Sequence, residues 1–285
     1  MIRILQETLM KRMSIFLLYV LAAQTLFCSH SDRKSIHTRQ GLLALAAFQS
    51  AAVNTVCTGT RYDDSPKMFN LSIDHEAWNG IANSTAGAFL FNSSAPKNLF
   101  EVYGASISGA NGTSTNASYT WTTKKSAKVY SPIKGYVSRL ELQSNEWWSQ
   151  DYEIELKTNA NSVYVFILDH FNSPLVSKGS LVTVGQELGT TGNLISGSAS
   201  NPVMNTVYSA YELQVSKYSV GSNCTDQSTT GLKSVCPTSL LDSSVSDSMK
   251  SKLLKLMSDW ETLKGNSAIY NENTMIIPGC YSESF

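Results

Sequence analysis

Imidazole and carboxylate groups in two short β-rich runs are the side chains of this sequence best suited to chemistry. Asp169 and His170 lie near the end of the run V-Y-V-F-I-L-D-H-F (residues 163–171), and Glu212 lies in Y-E-L-Q-V (residues 211–215). Such groups are zinc ligands, and a catalytic zinc needs three of them with one position left open for water. His170 and Glu212 fall short of that number, so a zinc site requires ligands from elsewhere. Asp169 and His170 do not make a nucleophilic triad, because no serine lies in a nucleophile-elbow setting.

Asp74, His75 and Glu76 are adjacent in the sequence and form a second candidate metal site. Neighbouring residues on a strand point to opposite faces of a sheet, so three in a row cannot meet on one ion without a bulge. We therefore expect these three residues to lie on a solvated surface.

The two runs belong to a stretch of short strands punctuated by glycine. It opens with K-V-Y-S-P-I-K-G-Y-V (residues 128–137), where Pro132 and Gly135 favour a turn between β-branched and aromatic positions, with Gly135 free to take a positive φ. It continues with V-S-K-G-S-L-V-T-V-G-Q-E-L-G-T-T-G (residues 176–192). Short strands alternating with tight turns predict a β sandwich or barrel.

These residues resemble the lysostaphin-type zinc endopeptidases, which cut peptidoglycan cross-bridges and whose β core also occurs in the vertebrate leukocyte cell-derived chemotaxin. In that family a V-Y-A-P-x-x-G-x-V turn precedes a strand ending Y-x-H-L, then V-x-x-G-x-x-V-x-x-G-Q-x-I-G-x-x-G, then H-x-H-F-E-V. Each piece has a counterpart here in the same order, between residues 128 and 215. The resemblance implies a mainly β protein with an antiparallel core of barrel-sandwich type and helical flanks at both ends.

The same resemblance shows which zinc ligands have changed. The family binds zinc through an H-x-x-x-D segment shortly before the V-Y-A-P turn and through the second histidine of H-x-H. Here residues 116–128 contain neither His nor Asp, and the H-x-H pair falls on Ala210 and Glu212. His170 keeps the position of a family histidine that helps to stabilise the transition state, but it is not a ligand position there. We therefore expect no zinc-activated water.

Composition and the N-terminus suggest a secreted protein of one or two domains. The 285 residues carry 22 Lys plus Arg and 22 Asp plus Glu, and no basic cluster indicates a nucleic-acid surface. Basic residues precede the apolar run of residues 15–27, which is short for a membrane span. We interpret residues 1–31 as a cleaved signal peptide, with an uncleaved membrane anchor as the alternative.

Four cysteines remain after signal cleavage, and an even number suits an oxidising compartment. We expect Cys224 to pair with Cys236, since they bracket one polar loop, and Cys57 with Cys280. Free buried thiols are the alternative. Six N-x-S/T sequons are glycosylation sites if the source is eukaryotic: Asn70, Asn83, Asn92, Asn111, Asn116 and Asn223.

The chain around the β core divides into flanks. Residues 32–118 form an N-terminal flank, with a predicted helix at 39–55 followed by short strands and loops, and residues 119–242 form the peptidase-like core. Residues 243–285 form a C-terminal helix and tail; the helix is predicted at 246–264, ending at Gly265. The first helix packs on the domain, or alternatively contacts a membrane or partner.

Trp147 and Trp148 lie in a loop between two predicted strands. Adjacent tryptophans can form a stacking platform for a sugar or peptide, or they can cap the core.

The sequence thus predicts a secreted, disulfide-stabilised pseudoenzyme without a cofactor. It would bind a glycan, a peptidoglycan fragment or an extracellular protein in the former active-site groove, through Trp147, Trp148 and Glu212 beside His170. One alternative is an active zinc metalloendopeptidase with non-standard ligands, for example Glu212 with His75 or His170. Another, a lipoyl- or biotinyl-type carrier, is disfavoured because no lysine lies on the corresponding hairpin, N-S-V-Y-V-F-I-L-D-H.

Overall fold

A computed structural model of the chain describes residues 55–95, 98–109, 112–143, 148–149, 151–198, 201–204, 207–225 and 232–285. The predicted signal peptide, nearly all of the predicted helix at 39–55, Trp147 and Asn111 lie outside these ranges, as does the side chain of Trp148.

The described residues are mainly β, as the sequence predicts. They form strands β1 to β17 at Ser84–Ala86, Phe89–Phe91, Phe100–Glu101, Ser106–Gly109, Gly112–Thr115, Ser118–Lys124, Lys128–Tyr130, Gly135–Leu142, Trp148–Ser149, Tyr152–Lys157, Tyr164–Asn172, Leu181–Val182, Glu187–Thr191, Asn193–Ser198, Asn201–Met204, Tyr208–Lys217 and Lys233–Val235. Helix α1 spans Ser243–Lys264, and short 3₁₀ helices span Pro237–Leu240 and Glu272–Thr274.

One ten-stranded antiparallel sheet organises the fold. Its main path runs β12-β8-β10-β11-β16-β6-β3, while β13 joins β11 to β7 and β17 pairs with β16. Among the described strands this sheet does not close into a barrel. Gly135, after β7, does not have the positive φ that the turn suggested. A Cβ at Gly135 would instead collide with the carbonyl oxygen of Lys157, so the close approach of β10 requires glycine.

Aromatic and aliphatic side chains from alternate strand positions fill the core. Trp121 of β6 is fully buried and stacks on Phe100 with ring centroids 4.2 Å apart. Tyr211, opposite Trp121 on β16, is also fully buried. Successive side chains of a strand alternate between faces. The residues next to Trp121 in β6 and next to Tyr211 in β16 therefore face the other side of the sheet.

Helix α1 confirms the predicted C-terminal helical flank. The helix begins at Ser243, three residues before the predicted start. Asp242 caps it by accepting a hydrogen bond from the Ser244 amide. Gly265 ends the helix with φ +63°, as its sequence position predicts. Leu253, Leu256, Met257 and Trp260 bury one face of the helix in the core. Among the described residues, no helix is long and apolar enough to cross a membrane.

The described residues contain two disulfides, but the expected pairing was wrong. Cys57 bonds to Cys224, and Cys236 bonds to Cys280. Residues 59–61 align with 222–224, where the Cys224 amide donates to the carbonyl of Gly59 over 2.8 Å. The tail lies along β17, where the Cys236 amide donates to the carbonyl of Glu283, also over 2.8 Å. Backbone pairing between segments distant in sequence, rather than closure of the polar loop, therefore decides which cysteines meet.

Candidate functional site

Three polar residues form a row across the centre of the main sheet. Asp169 of β11 lies directly opposite Glu212 of β16, and Glu212 lies opposite Thr120 of β6. Directly opposite residues of antiparallel strands have their side chains on the same face. The sheet register thus brings together two carboxylates from segments more than forty residues apart in the sequence.

Hydroxyl groups surround the carboxylate of Glu212. Ser118 donates to its Oε2 over 3.2 Å, and Thr120 donates to its Oε1 over 3.0 Å. Both hydroxyls come from β6, the strand that precedes the V-Y-S-P turn, where the resemblance places the metal-binding H-x-x-x-D segment. Zinc in proteins binds Cys, His and carboxylate ligands. Of the family's three ligand positions, only the one at Glu212 carries such a group, so the set is too small for a zinc ion.

His170 joins this face through an unusual backbone conformation. It lies within β11, where the strand changes partner from β16 to β13, and its φ of +56° is in the left-handed region. In a regular strand His170 would face away from Asp169, yet its Nδ1 lies 4.0 Å from Oδ1 of Asp169 and its Nε2 lies 3.9 Å from Oε1 of Glu212. The left-handed residue turns the imidazole toward both carboxylates.

Gly192 supports that conformation. Its amide donates to the carbonyl oxygen of His170 over 2.6 Å, and a Cβ at residue 192 would lie 2.6 Å from the same oxygen. Only glycine leaves room for this contact, so the last glycine of the G-Q-E-L-G-T-T-G segment positions the imidazole.

Asp151 completes the site and was missed by the sequence reasoning. It immediately precedes β10, and its side chain is 1% exposed. Both of its carboxylate oxygens lie 3.3 Å from Nδ1 of His170. The pairing of β10 with β11 brings Asp151 to His170. The sequence alone does not show which residues of these two strands lie opposite each other. We refer to Asp151, Asp169, His170 and Glu212 as the acidic site.

The pKa values of His170 and Asp169 are both shifted in this site. Burial alone lowers the pKa of His170, but Asp151, Asp169 and Glu212 together outweigh burial and raise it above its ordinary value. Burial raises the pKa of Asp169, although His170 partly offsets the effect. The acidic site therefore favours bound cations and hydrogen-bond donors.

Asp151, Asp169 and His170 could also hold a metal ion. One ligand atom from each lies within 4.8 Å of the other two. This group differs from the ligand positions of the resembled family, and it uses Nδ1 of His170, whereas Nε2 faces Glu212.

His75 lies away from the acidic site and is not on a solvated surface. It is 5% exposed, so the prediction of a solvated surface was wrong for His75, whereas its neighbours Asp74 and Glu76 are exposed as predicted. Its ring packs edge-on against Trp121 with centroids 4.8 Å apart. Trp121 follows Thr120 and faces the opposite side of β6, so the sheet separates His75 from Glu212. These two residues do not form a common ligand set.

The predicted stacking platform remains a prediction. Trp148 lies in β9, opposite Leu194 of β14. Its side chain is outside the part of the chain that the structure describes.

The five predicted glycosylation sites within the described residues fall into two structural groups. Asn116 is 4% exposed and its amide donates to the carbonyls of Glu101 and Val102, both over 3.3 Å. The amide of Asn70 donates to the carbonyl of Ser131 over 2.9 Å. Asn83 and Asn223 are exposed, and Asn92 is half-buried in a turn. The folded chain thus leaves Asn83, Asn92 and Asn223 more accessible to a glycan.

Comparison with known proteins finds similarity in solved structures. No protein-family profile matches the chain, and no curated protein does. The solution structure of lysostaphin matches with 20% identity over 47% of this chain and 50% of that one, at a TM-score of 0.31. A zinc-containing peptidase from Vibrio cholerae matches with 16% identity over 62% and 40%, at 0.24. Helicobacter pylori Csd3 matches with 15% identity over 74% and 49%, at 0.29.

Lysostaphin, the protein after which the resembled family is named, is therefore among the structures that the chain matches. The matches span half or less of each of those structures. At these TM-scores they carry no information on activity, which has to be inferred from the acidic site itself.

Proposed function

We propose that this protein is a secreted, peptidase-like binding protein that has lost zinc catalysis at the family's site. Its ligand is a glycan or a peptidoglycan fragment, bound across the acidic site without cleavage. Glu212 carries the proposal: it occupies a metal-ligand position of the resembled family, and the hydroxyls of Ser118 and Thr120 hold it.

The chemistry of the acidic site suits such a ligand. Its carboxylates accept hydrogen bonds, and sugar hydroxyls and the ammonium or amide groups of peptidoglycan stem peptides donate them. Glu212 and Asp169 each have side chains that are 28% exposed, so both carboxylates can reach a ligand. Charged acceptors form the stronger class of hydrogen bond, which favours recognition.

The proposal is tested by titrating the protein with soluble peptidoglycan fragments in the presence of EDTA and monitoring the amide NMR shifts. We expect saturable shifts that are centred on β11 and β16. Glu212→Gln should weaken binding by about tenfold, because a hydrogen bond to a charged group contributes roughly 1.5–3 kcal/mol. Glu187→Gln is the matched control, since Glu187 pairs with Lys128 on the exposed side of β13.

Two results would contradict the proposal. One is the absence of any shift in the acidic site with peptidoglycan fragments and with unrelated oligosaccharides. The other is release of peptide fragments from cross-linked peptidoglycan after zinc is added, with loss of that activity in Glu212→Gln. If an extracellular protein competes with the fragments for the same surface, that protein, and not a glycan, is the ligand.

A second candidate function, an active zinc metalloendopeptidase with non-standard ligands, is favoured by one observation. The ligand atoms of Asp151, Asp169 and His170 lie within 4.8 Å of one another. Hydrolysis that requires Asp169 but not Glu212 would support this candidate over the binding protein.

Secretion is part of the proposal. The N-terminal apolar run fits a signal peptide, and two disulfides suit an oxidising compartment. Mass spectrometry of the protein from the medium of expressing cells should show a start between residues 24 and 32.

A further inference from the structure

The Nδ1 side of His170 has the spacing of a metal site. Both oxygens of Asp151 lie 3.3 Å from Nδ1, longer than the usual 2.9–3.0 Å of an N–H···O hydrogen bond. Two ligand atoms bound to one zinc at about 2.0–2.1 Å with a tetrahedral angle are about 3.3 Å apart. Asp169, at 4.0 Å from Nδ1, needs only a small side-chain movement to become a third ligand.

The charge of the acidic site points the same way. One imidazole is shared by three carboxylates, those of Asp151, Asp169 and Glu212, and it can carry a single positive charge. Arg139 also acts electrostatically on Asp169, but its guanidinium is already paired with three glutamates, Glu141, Glu153 and Glu155. A divalent ion at Nδ1 would place further positive charge beside both aspartates.

We propose that Asp151, Asp169 and Nδ1 of His170 form a binding site for a divalent transition metal, with zinc preferred. Imidazole ligands favour zinc over magnesium and calcium, and the spacing fits tetrahedral coordination. The site lies on the opposite side of the imidazole from Glu212 and uses none of the ligand positions of the resembled family. It leaves coordination positions open to a carboxylate or hydroxyl of a bound molecule.

This site would also fix the orientation of the imidazole. Metal-bound histidines commonly hold their other ring nitrogen in a hydrogen bond to a carboxylate or carbonyl. Here Nε2 lies 3.9 Å from Glu212, which is close enough for that contact after a small adjustment. The metal site does not depend on glycan binding, so each proposal can fail without the other.

Isothermal titration of the EDTA-treated full-length protein with zinc sulfate tests the proposal. We expect one equivalent of zinc to bind. Asp151→Asn and Asp169→Asn should each weaken zinc affinity by at least about 100-fold, since loss of an outer-shell partner alone costs 10–100-fold. Cobalt(II) in place of zinc should give an intense visible absorption band, which distinguishes four-coordinate from six-coordinate geometry.

Two control variants and a choice of ligand variants make the result decisive. Glu187→Gln, a partly exposed carboxylate that is paired with Lys128 and lies opposite Tyr130 of β7, should leave zinc affinity unchanged. Glu212→Gln should reduce it less than tenfold. If the buried Asp151→Asn variant misfolds, Asp169→Asn gives the answer alone, because Asp169 is partly exposed.

Absence of stoichiometric zinc binding in the wild-type protein would overturn the proposal. Loss of zinc in Glu212→Gln with full affinity in Asp169→Asn would also overturn it, because the ion would then lie on the Nε2 side of His170.

Discussion

Replacement of His75 by phenylalanine should remove a pH dependence of folding stability. The Nδ1 atom of His75 lies 2.9 Å from the carbonyl oxygen of Ile73, so Nδ1 carries the proton of the neutral ring. Nε2 is buried and has no hydrogen-bond partner among the described residues. Burial, assisted by the charge of Lys252, lowers the pKa of His75 to about 4 from the usual 6.5.

The sign and size of the effect follow from this shift. Between pH 4 and 6.5 the unfolded chain binds a proton at His75 that the folded protein does not bind, so the free energy of unfolding rises with pH. The contribution of the neutral ring is complete above pH 6.5 and is lost as the pH falls toward 4. A difference of about 2.5 pKa units corresponds to about 3 kcal/mol, at 1.36 kcal/mol per unit.

Urea unfolding of the wild-type protein and His75→Phe between pH 4 and 7.5 measures the effect. Phenylalanine keeps an aromatic ring against Phe89 and Trp121 and cannot titrate. Groups common to both proteins, including His170, cancel in the difference. We expect the free energy of unfolding of the wild-type protein to fall relative to the variant by about 3 kcal/mol over this range. Parallel pH profiles for the two proteins would refute the assignment of His75 as a neutral core residue.

Two further predictions concern the support of the site and the sequons. Gly192→Ala should destabilise the protein by about 1–3 kcal/mol and shift the imidazole NMR resonances of His170, because the His170 carbonyl must retreat by roughly 0.4 Å to clear the new Cβ. Gly179→Ala, with φ +85° and open space around it, should cost on the order of 1 kcal/mol and leave those resonances unchanged; equal shifts in both variants would contradict this reasoning. Asn116→Asp should cost about 2–4 kcal/mol in urea unfolding, since a buried carboxylate would face two backbone carbonyls. Asn83→Asp, exposed in a turn, should change stability by less than about 0.5 kcal/mol, and a comparable loss in both would show that burial of Asn116 is not decisive.

Much of the β architecture could be predicted from local sequence. The turn around Pro132 and Gly135, the run that became β11 and the run that became β16 were all expected as strands and turns. These signals are local, because β-branched and aromatic residues favour strands and glycine permits close approach of backbones. Helix α1 was predicted for the same reason, from its apolar face and its terminal glycine.

The disulfide pairing could not be obtained in that way. Cys224 and Cys236 are close in sequence, but each bonds to a cysteine from a distant segment. Their partners are chosen by backbone pairing of residues 59–61 with 222–224 and of the tail with β17. Proximity along the chain says little about proximity in a sheet built from long-range contacts.

The sequence by itself determined that His170 and Glu212 stand on core strands and that the family's zinc ligands are absent from the segment before the turn. Only the tertiary structure added Asp151 and turned His170 toward Asp169, because strand alternation alone would place adjacent residues 169 and 170 on opposite faces. The left-handed backbone at His170 depends on contacts with other strands, and a local pattern does not encode them. The acidic site is therefore a product of register and backbone conformation acting on residues that the sequence keeps apart.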